Sequence, residues 1–296
     1  MAGANAAGGR PRTLLPRPAA SQASTSVAMI DGRLLAPGKG DMPWELEPGT
    51  LETLGRCDLD RAPAPSGLLG RRLGSPYSAH PCWDPRTAET WNFGCVFGPR
   101  PRDPWFPWHF AGAYDDGDDI VLDLARFRCW TVMHEAISSM GHLTDPSCFP
   151  VGRLRRYRVT ASGKVEDHQI NALPMERPTI DPRRSTTAHR NVYGATIGTP
   201  ASGVTFTAVA RYDTELGEAD AHDYGPGHLV SEPLLVPRDR KQFDEQGWLV
   251  AYEARLTAGT TNIVAFDAQS VADGPVCTLP APESLGFTFH GQWVHA

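Results

Sequence analysis

The chain has 296 residues, of which 41% are hydrophobic and 21% are charged, so it can bury the core of one large domain or two small ones. Its formal net charge of −6 argues against a nucleic-acid surface, which needs a basic patch, and no apolar run approaches the ~20 residues that cross a bilayer. The six cysteines show no CxxC spacing, which predicts reduced thiols rather than disulfides or a thiolate metal site.

The first thirty residues contain no Asp or Glu and carry Arg10, Arg12 and Arg17 among small residues. This composition is typical of an organelle transit peptide, although a disordered tail or a misplaced start codon also explains it. We therefore expect a poorly ordered tail over residues 1–22 and one domain over residues 23–296. The expected location is intracellular, either the cytoplasm or a plastid.

Beyond the tail, short segments rich in β-branched and aromatic residues alternate with Gly and Pro, which predicts strands joined by turns. Strands are predicted over Asp119–Trp130 and Val204–Asp213, and hairpins over Gly152–Ile170 and Gly247–Ala268. Only Val132–Met140 has the pattern of a short helix. This organisation favours an all-β sandwich, barrel or propeller, and the weak repetition among the hairpins is typical of propeller blades.

Three of the ten histidines lie in apolar, strand-like surroundings: His80 in "YSAHPCWDP", His109 in "PWFPWHFAGAY" and His290 in "GFTFHGQW". The closing stretch from Gly286 itself reads as a strand. A buried histidine needs a partner or a role, and each alone is explained by a hydrogen-bonded core position. In a propeller, however, the innermost strands meet at the axis, where three imidazoles can converge on Fe, Zn or Cu. Surface positions are predicted for the other histidines: His134, His142, His168, His189, His222, His228 and His295.

Longer motifs occur in a fixed order along the chain, among them "SAHPCWDPRTAETWNFG", "WHFAGAYDDGDDIVLDLARF", "MERPTIDPR", "SEPLLVPR" and "GPVCTLPAPESLGFTFHGQW". From about Ser24 to its end, the sequence resembles the carotenoid cleavage oxygenases, a family that includes lignostilbene dioxygenases and the retinal pigment epithelium isomerase. The resemblance implies a seven-bladed β-propeller with non-haem Fe(II) on its axis. Four histidines hold the iron in this family, and glutamates orient their imidazoles.

In this chain, the resemblance implies that three histidines are iron ligands: His80, His109 and His290. They match the first, third and fourth ligand histidines of the family. Glu176 and Glu232 match two of the orienting glutamates. The implied reaction adds O₂ across a C=C bond of a carotenoid, apocarotenoid or stilbene and gives two carbonyl products. The implied partners are a hydrophobic polyene and O₂, with peripheral membrane contact left open. Two alternatives remain for three aromatic residues, which either line a substrate tunnel or fill the core: Trp105, Phe106 and Trp108.

The chain also departs from the family pattern. The second histidine of the family lies in an H-D-F motif that is absent here, and only 28 residues separate His80 from His109, whereas a blade needs ~40. The family's first blade is missing, Lys39 stands where a third orienting glutamate belongs, and Gly112 replaces the Asn of H-x-x-N-A. Two hypotheses follow. The chain is an iron oxygenase whose sequence lacks the first blade and a segment between residues 95 and 109, or it is a degenerate, catalytically inactive propeller fragment with an incomplete iron site.

Overall fold

The structure is a computed structural model that describes residues 26–30, 32–38, 41–57, 81–84, 86–87, 89–91, 106–127, 152–198, 206–239, 245–285, 288 and 290–293. By contacts the chain divides into two compact units, one of Met1–Pro81 with Asn92–Phe97 and one of Cys82–Trp91 with Gly98–Ala296. No helix within the described ranges is long and apolar enough to cross a membrane. The predicted helix over Val132–Met140 lies outside them.

The described part of the first unit is a four-stranded antiparallel sheet in which sequential strands are neighbours. Its strands are β1 (Ala28–Ile30), β2 (Arg33–Gly38), β3 (Asp41–Leu46) and β4 (Thr53–Arg56). Leu35 of β2 and the thiol-bearing Cys57 just after β4 are buried, and Cys57 is free, as predicted. All four residues from Leu35 to Gly38 are buried, so both faces of β2 are covered over this stretch.

The described part of the second unit contains a short hairpin and three larger antiparallel sheets. The hairpin is β5 (Cys82–Asp84) and β6 (Glu89–Trp91). Sheet I is β7 (Phe106–Asp116), β8 (Asp119–Phe127), β9 (Arg153–Val159) and β10 (Val165–Pro174). Sheet II is β11 (Glu176–Thr179), β12 (Asn191–Thr196), β13 (Ala208–Asp213) and β14 (Ala219–Asp223). Sheet III is β15 (His228–Val230), β16 (Leu234–Pro237), β17 (Gly247–Arg255), β18 (Thr260–Asp267) and β19 (Pro275–Pro280).

Sheets I and II are four-stranded meanders, and sheet III is a meander of β16 to β19 with β15 added beside β17. Four-stranded antiparallel meanders are the blades of β-propellers. The hairpins predicted over Gly152–Ile170 and Gly247–Ala268 are confirmed as β9–β10 and β17–β18. Their turns form where the sequence predicted them because Gly163 and Gly259 adopt positive φ angles of 81° and 63°, which glycine tolerates best.

Two clusters of buried apolar side chains hold the sheets of the second unit together. One joins sheets I and II through residues such as Leu154, Met175 and Tyr212. The other joins sheets II and III and includes Tyr193 and Phe266. Because successive residues of a strand face opposite sides, the two central strands of sheet II, β12 and β13, contribute to both clusters. The first strands of sheets I and II, β7 and β11, are thereby packed against each other.

The prediction that the chain closes on a strand is wrong for the residues that the structure describes there. Thr288 and residues 290–293 are not part of a sheet. The backbone N–H of Gly291 donates to the carboxylate of Glu232 (3.1 Å) instead of to a neighbouring strand. A side-chain carboxylate therefore accepts the hydrogen bond that a neighbouring strand would otherwise accept. The segment after β19 is held by Glu232 and does not add a strand to sheet III.

Candidate metal centre

His109 lies on β7 between two irregularities in the pairing of β7 with β8. The register shifts between Pro107 and His109 and again between Phe110 and Gly112. Such bulges re-aim a side chain that regular alternation would direct elsewhere. The imidazole of His109 is buried, and the indole of Trp108 lies nearly parallel to it, with ring centroids 6.4 Å apart. The local backbone thus presents one histidine inward beside an aromatic surface.

Glu176 holds the ring of His109 from the adjacent sheet. Its carboxylate oxygen Oε2 accepts a hydrogen bond from Nδ1 of His109, and both side chains are more than nine-tenths buried. Glu176 begins β11, whose pairing with β12 is itself irregular between Glu176 and Thr179. A carboxylate on Nδ1 fixes both the tautomer and the rotation of an imidazole, which leaves Nε2 as the electron-pair donor.

His290 and Glu232 form a second pair of the same kind. Nδ1 of His290 donates to Oε1 of Glu232 at 2.8 Å, and the two side chains are 6% and 9% exposed. The other oxygen of the same carboxylate accepts the backbone N–H of Gly291. Glu232 lies in the link between β15 and β16, so this second pair is built from sheet III and the segment that follows β19.

The two pairs bring their remaining ring nitrogens together. Nε2 of His109 and Nε2 of His290 lie 3.2 Å apart, and the ring centroids are 4.9 Å apart. Because both Nδ1 atoms donate to carboxylates, both Nε2 atoms present lone pairs, which repel at this distance unless a cation or a shared proton lies between them. Two nitrogens bound to one metal at about 2.1 Å and roughly a right angle would be about 3.0 Å apart. The donor set therefore fits a metal ion.

Of the three predicted ligands, the structure brings His109 and His290 together, and His80 lies outside the described residues, as does Lys39. Both predicted orienting glutamates are buried at the site, and each contacts one of the two histidines. Within the described ranges, no cluster of three or more His, Cys, Asp and Glu side chains forms a metal site. Within those ranges, the converging donors are therefore the two imidazoles alone.

The surface position predicted for His189 is wrong. Its side chain is 1% exposed, and Nε2 lies 2.9 Å from Oδ2 of Asp123, a fully buried carboxylate. Asp123 also accepts two hydrogen bonds from the guanidinium of Arg156, at 2.9 and 2.6 Å. Burial alone would raise the pKa of Asp123, but the hydrogen bonds from Arg156 and His189 outweigh it and lower that pKa. His189 is therefore a core histidine with a fixed partner.

The same histidine explains why glycine stands at position 112. A Cβ on Gly112 would come within 2.7 Å of Cε1 of His189 and 3.0 Å of Cδ1 of Ile180. The imidazole thus occupies the space that a side chain at position 112 would need. No feature of the sequence linked these two residues, which are far apart along the chain.

We expect Gly112→Ala to destabilise the fold by about 1–3 kcal/mol, because the added methyl group overpacks the side chain of His189, which Asp123 holds in place. The free energy of unfolding in urea measures this effect. The matched control is Gly49→Ala, since a Cβ at Gly49 meets nothing within 4 Å. Equal stability of the two variants would contradict the proposed packing of His189 against Gly112.

Two further histidines with a predicted surface position are partly buried. The side chain of His228 is 26% exposed and contacts Glu253, whose carboxylate is buried and also accepts from Asn262 at 2.6 Å. Burial lowers the pKa of His222, against the opposing charge of Asp223. His168 is exposed, as predicted, and the remaining members of that group lie outside the described residues.

Comparisons with known proteins identify the relatives of this chain. The profile of the family described as "Retinal pigment epithelial membrane protein" matches residues 10–103 and 100–295. Among curated relatives, the apocarotenoid-15,15'-oxygenase of Synechocystis is 21% identical over 386 positions, which cover 98% of this chain and 76% of the relative. The isoeugenol monooxygenase of Pseudomonas putida is 22% identical, over 92% of this chain and 74% of the relative.

Two solved structures resemble the fold closely. The lignostilbene dioxygenase of Pseudomonas brassicacearum matches with a TM-score of 0.76 at 18% identity, over 93% of this chain and 75% of that one. Cobalt-substituted apocarotenoid oxygenase of Synechocystis matches with a TM-score of 0.73 at 20% identity, over 93% and 74%. The predicted all-β fold, a propeller of the carotenoid oxygenase type that is incomplete here, is confirmed. The chain therefore belongs to the carotenoid oxygenase family, the one that also contains the retinal pigment epithelial membrane protein.

Proposed function

We propose that the chain holds a non-haem Fe(II) ion and cleaves a C=C bond of a carotenoid, apocarotenoid or related polyene or stilbene with O₂, giving two carbonyl products. The observation that carries this proposal is the convergence of His109 and His290, each held by a buried glutamate, on one point. The names of the relatives support the substrate class, since they act on apocarotenoids, isoeugenol and lignostilbene.

Iron bound at this point would supply a binding place and electrons for O₂ next to the substrate. The protein's own contribution is orientation. Glu176 and Glu232 hold the Nδ1–H groups, so the Nε2 lone pairs of His109 and His290 face the same position before any ligand arrives. Because imidazoles are neutral, they would not offset the double positive charge of the iron. A shell made of histidines alone would also leave coordination positions for O₂ and substrate.

An apolar substrate needs an apolar wall beside the iron. Trp108 lies along His109 and packs edge-on against Phe127, with ring centroids 5.9 Å apart. We assign Trp108 to this wall, because a conjugated polyene gains contact area and π-stacking against an indole face. Trp105 and the side chain of Phe106, the other two predicted wall residues, lie outside what the structure describes.

His80 is the third proposed ligand, on sequence grounds. The second histidine of the family has no counterpart in the sequence, and two findings support a missing internal segment. The family profile matches in two stretches that meet at residues 100–103, within the predicted gap between residues 95 and 109. The alignment with the Synechocystis relative spans 386 positions, so about 90 of them have no counterpart in the 296 residues here.

The same gap favours a second candidate function, a degenerate propeller that binds a metal ion or polyene without oxygenase activity. Lys39 in place of a third glutamate supports it, since an ammonium has no acceptor for an imidazole N–H. The proposed division into a tail over residues 1–22 and a propeller over residues 23–296 is common to both candidates.

Oxygen consumption separates the two candidates. The purified chain is loaded with Fe(II) without air, and O₂ uptake is then followed with an apocarotenal and, separately, with a hydroxylated stilbene. We expect iron-dependent uptake and two aldehyde products by mass spectrometry, with the zinc-loaded chain as the inactive control. Iron binding without O₂ uptake on either substrate would favour the degenerate propeller. A chain that binds no iron would overturn the proposed iron site, whichever of the two functions is considered.

A further inference from the structure

Arg177 is a buried cation directly beside the metal centre. It follows Glu176 on β11, and only 3% of its surface is exposed, although arginine is rarely buried to this extent without a partner. Its φ of +49° lies in the left-handed region, which side chains larger than glycine rarely adopt. Such a conformation persists where the surroundings determine it, and it often marks a functional position.

The side chain of Arg177 reaches from sheet II to sheet III. Its Nη1 donates to the backbone carbonyl of Val230 at 3.1 Å, and its guanidinium lies over the ring of Phe206, 4.8 Å from the centroid. The carbonyl of Phe206 accepts in turn the backbone N–H of Val230 at 2.8 Å. Arg177, Phe206 and Val230 therefore form a closed set of contacts at the end of β15.

This set of contacts lies just before Glu232, which orients His290. Val230 precedes Glu232 by two residues, and the carbonyl of Pro233, the next residue, accepts a hydrogen bond from Oγ1 of Thr179 at 2.6 Å. The segment that carries Glu232 is thus tied on both sides to β11, the strand that carries Glu176. The separation of the two carboxylates depends on these ties, and so does the separation of the two imidazoles.

The charge of Arg177 acts in the same direction as its contacts. Burial lowers the pKa of Arg177 to about 10, against the opposing effect of Glu176 and Glu232, so the guanidinium is protonated at neutral pH. Both carboxylates are buried, and a nearby cation stabilises the ionised form of each of them.

We infer that Arg177 is a positioning residue of the metal centre, which ties the Glu232 segment to the strand of Glu176 and thereby sets the two imidazoles in place before a metal ion binds. Its proposed role is to hold other residues in place, not to bind the metal ion or the substrate. The metal-dependent part of this inference rests on the proposed function, and the part that concerns the metal-free protein does not.

The first test uses the metal-free protein with ¹⁵N-labelled histidine. The signals of the two Nδ1–H groups are assigned by their disappearance in His109→Ala and His290→Ala. These protons exchange slowly with water if Glu176 and Glu232 hold them. We expect Arg177→Met to speed this exchange at both rings by about tenfold, the effect on a local opening equilibrium of weakening it by one hydrogen bond of typical net strength. The matched control is Arg238→Met, which removes an exposed cation that lies over Trp248 and bonds Asp267.

The second test titrates Co(II) into the same proteins. We expect Arg177→Met to weaken Co(II) binding by roughly 10–100-fold and Arg238→Met to leave it unchanged. Arg177→Lys keeps the cation but not the planar fork, so we expect it to fold and to fall between the parent and the methionine protein in both measurements.

Unchanged exchange and Co(II) affinity in Arg177→Met would overturn the inference, and so would an equal loss in Arg238→Met. If Arg177→Met does not fold, Arg177→Lys is the test. A lysine variant with the same exchange rates and Co(II) affinity as the parent would overturn the inference. A parent protein that fails to bind Co(II) contradicts the proposed function alone, because the exchange rates in the metal-free protein still test the role of Arg177.

Discussion

His290→Ala is expected to abolish metal retention and, with it, any iron-dependent O₂ uptake. His290 supplies one of the two converging Nε2 atoms, and its removal also leaves the buried carboxylate of Glu232 without its imidazole partner. Loss of an outer partner of a metal ligand already costs about 10–100-fold in affinity, so we expect a larger loss for the ligand itself. Metal content after gel filtration, together with Co(II) titration, measures the effect.

His168→Ala is the matched control for this variant, because His168 is an exposed histidine on β10 of the same unit. Its metal content should equal that of the parent. Thermal unfolding of both metal-free variants shows whether the fold is intact. A folded His290→Ala protein that retains metal like the parent would rule out His290 as a ligand.

Asp123→Asn is expected to lower the free energy of unfolding by about 3 kcal/mol, the lower end of the range for breaking a buried ion pair. Asp123 is fully buried and accepts from both Arg156 and His189, so the amide would leave the guanidinium without a counter-charge. The lower end applies because the side chain of Arg156 is 22% exposed and can partly regain water. Urea unfolding at neutral pH measures the loss.

Asp167→Asn is the matched control, since Asp167 also binds two arginines of sheet I, Arg126 and Arg155, but is 32% exposed. Exposed pairs contribute about 0–1 kcal/mol, so this variant should be nearly as stable as the parent. Equal losses in the two variants would contradict the assignment of the larger effect to burial.

The effect of Asp123 should also depend on pH in a defined direction. Folding lowers the pKa of Asp123, so the folded state favours its ionised form. The stability that it contributes is complete above the unfolded pKa of about 3.9 and is lost as the pH falls through the lower folded value. The difference between parent and Asp123→Asn should therefore stay nearly constant from about pH 6 to about 5 and shrink as the pH falls from about 4 toward the lower folded pKa. A difference that does not shrink as the pH falls well below about 4 would show that charge is not its source.

The sequence predicted the residue types of the site and the class of the fold for local reasons. Strands were recognisable because alternation and glycine turns act within a few residues, as in the hairpins β9–β10 and β17–β18. His109, His290, Glu176 and Glu232 were recognisable because each lies in a short motif with a family resemblance. The strand predicted for the final stretch was wrong because the backbone N–H of Gly291 donates to the side chain of Glu232. No local sequence pattern reveals such a distant side-chain acceptor.

The sequence by itself thus determined that the chain is all-β and that it resembles the carotenoid oxygenases, and it predicted five side chains for the site, four of which lie within the described residues. The tertiary structure alone decided which glutamate holds which histidine, since these partners lie 67 and 58 residues apart. It also decided that His189 is buried on Asp123, 66 residues away, and that Arg177 ties the two glutamate segments together. Burial, charge pairing and the convergence of two ring nitrogens depend on the packing of separate sheets, which no local stretch of sequence specifies.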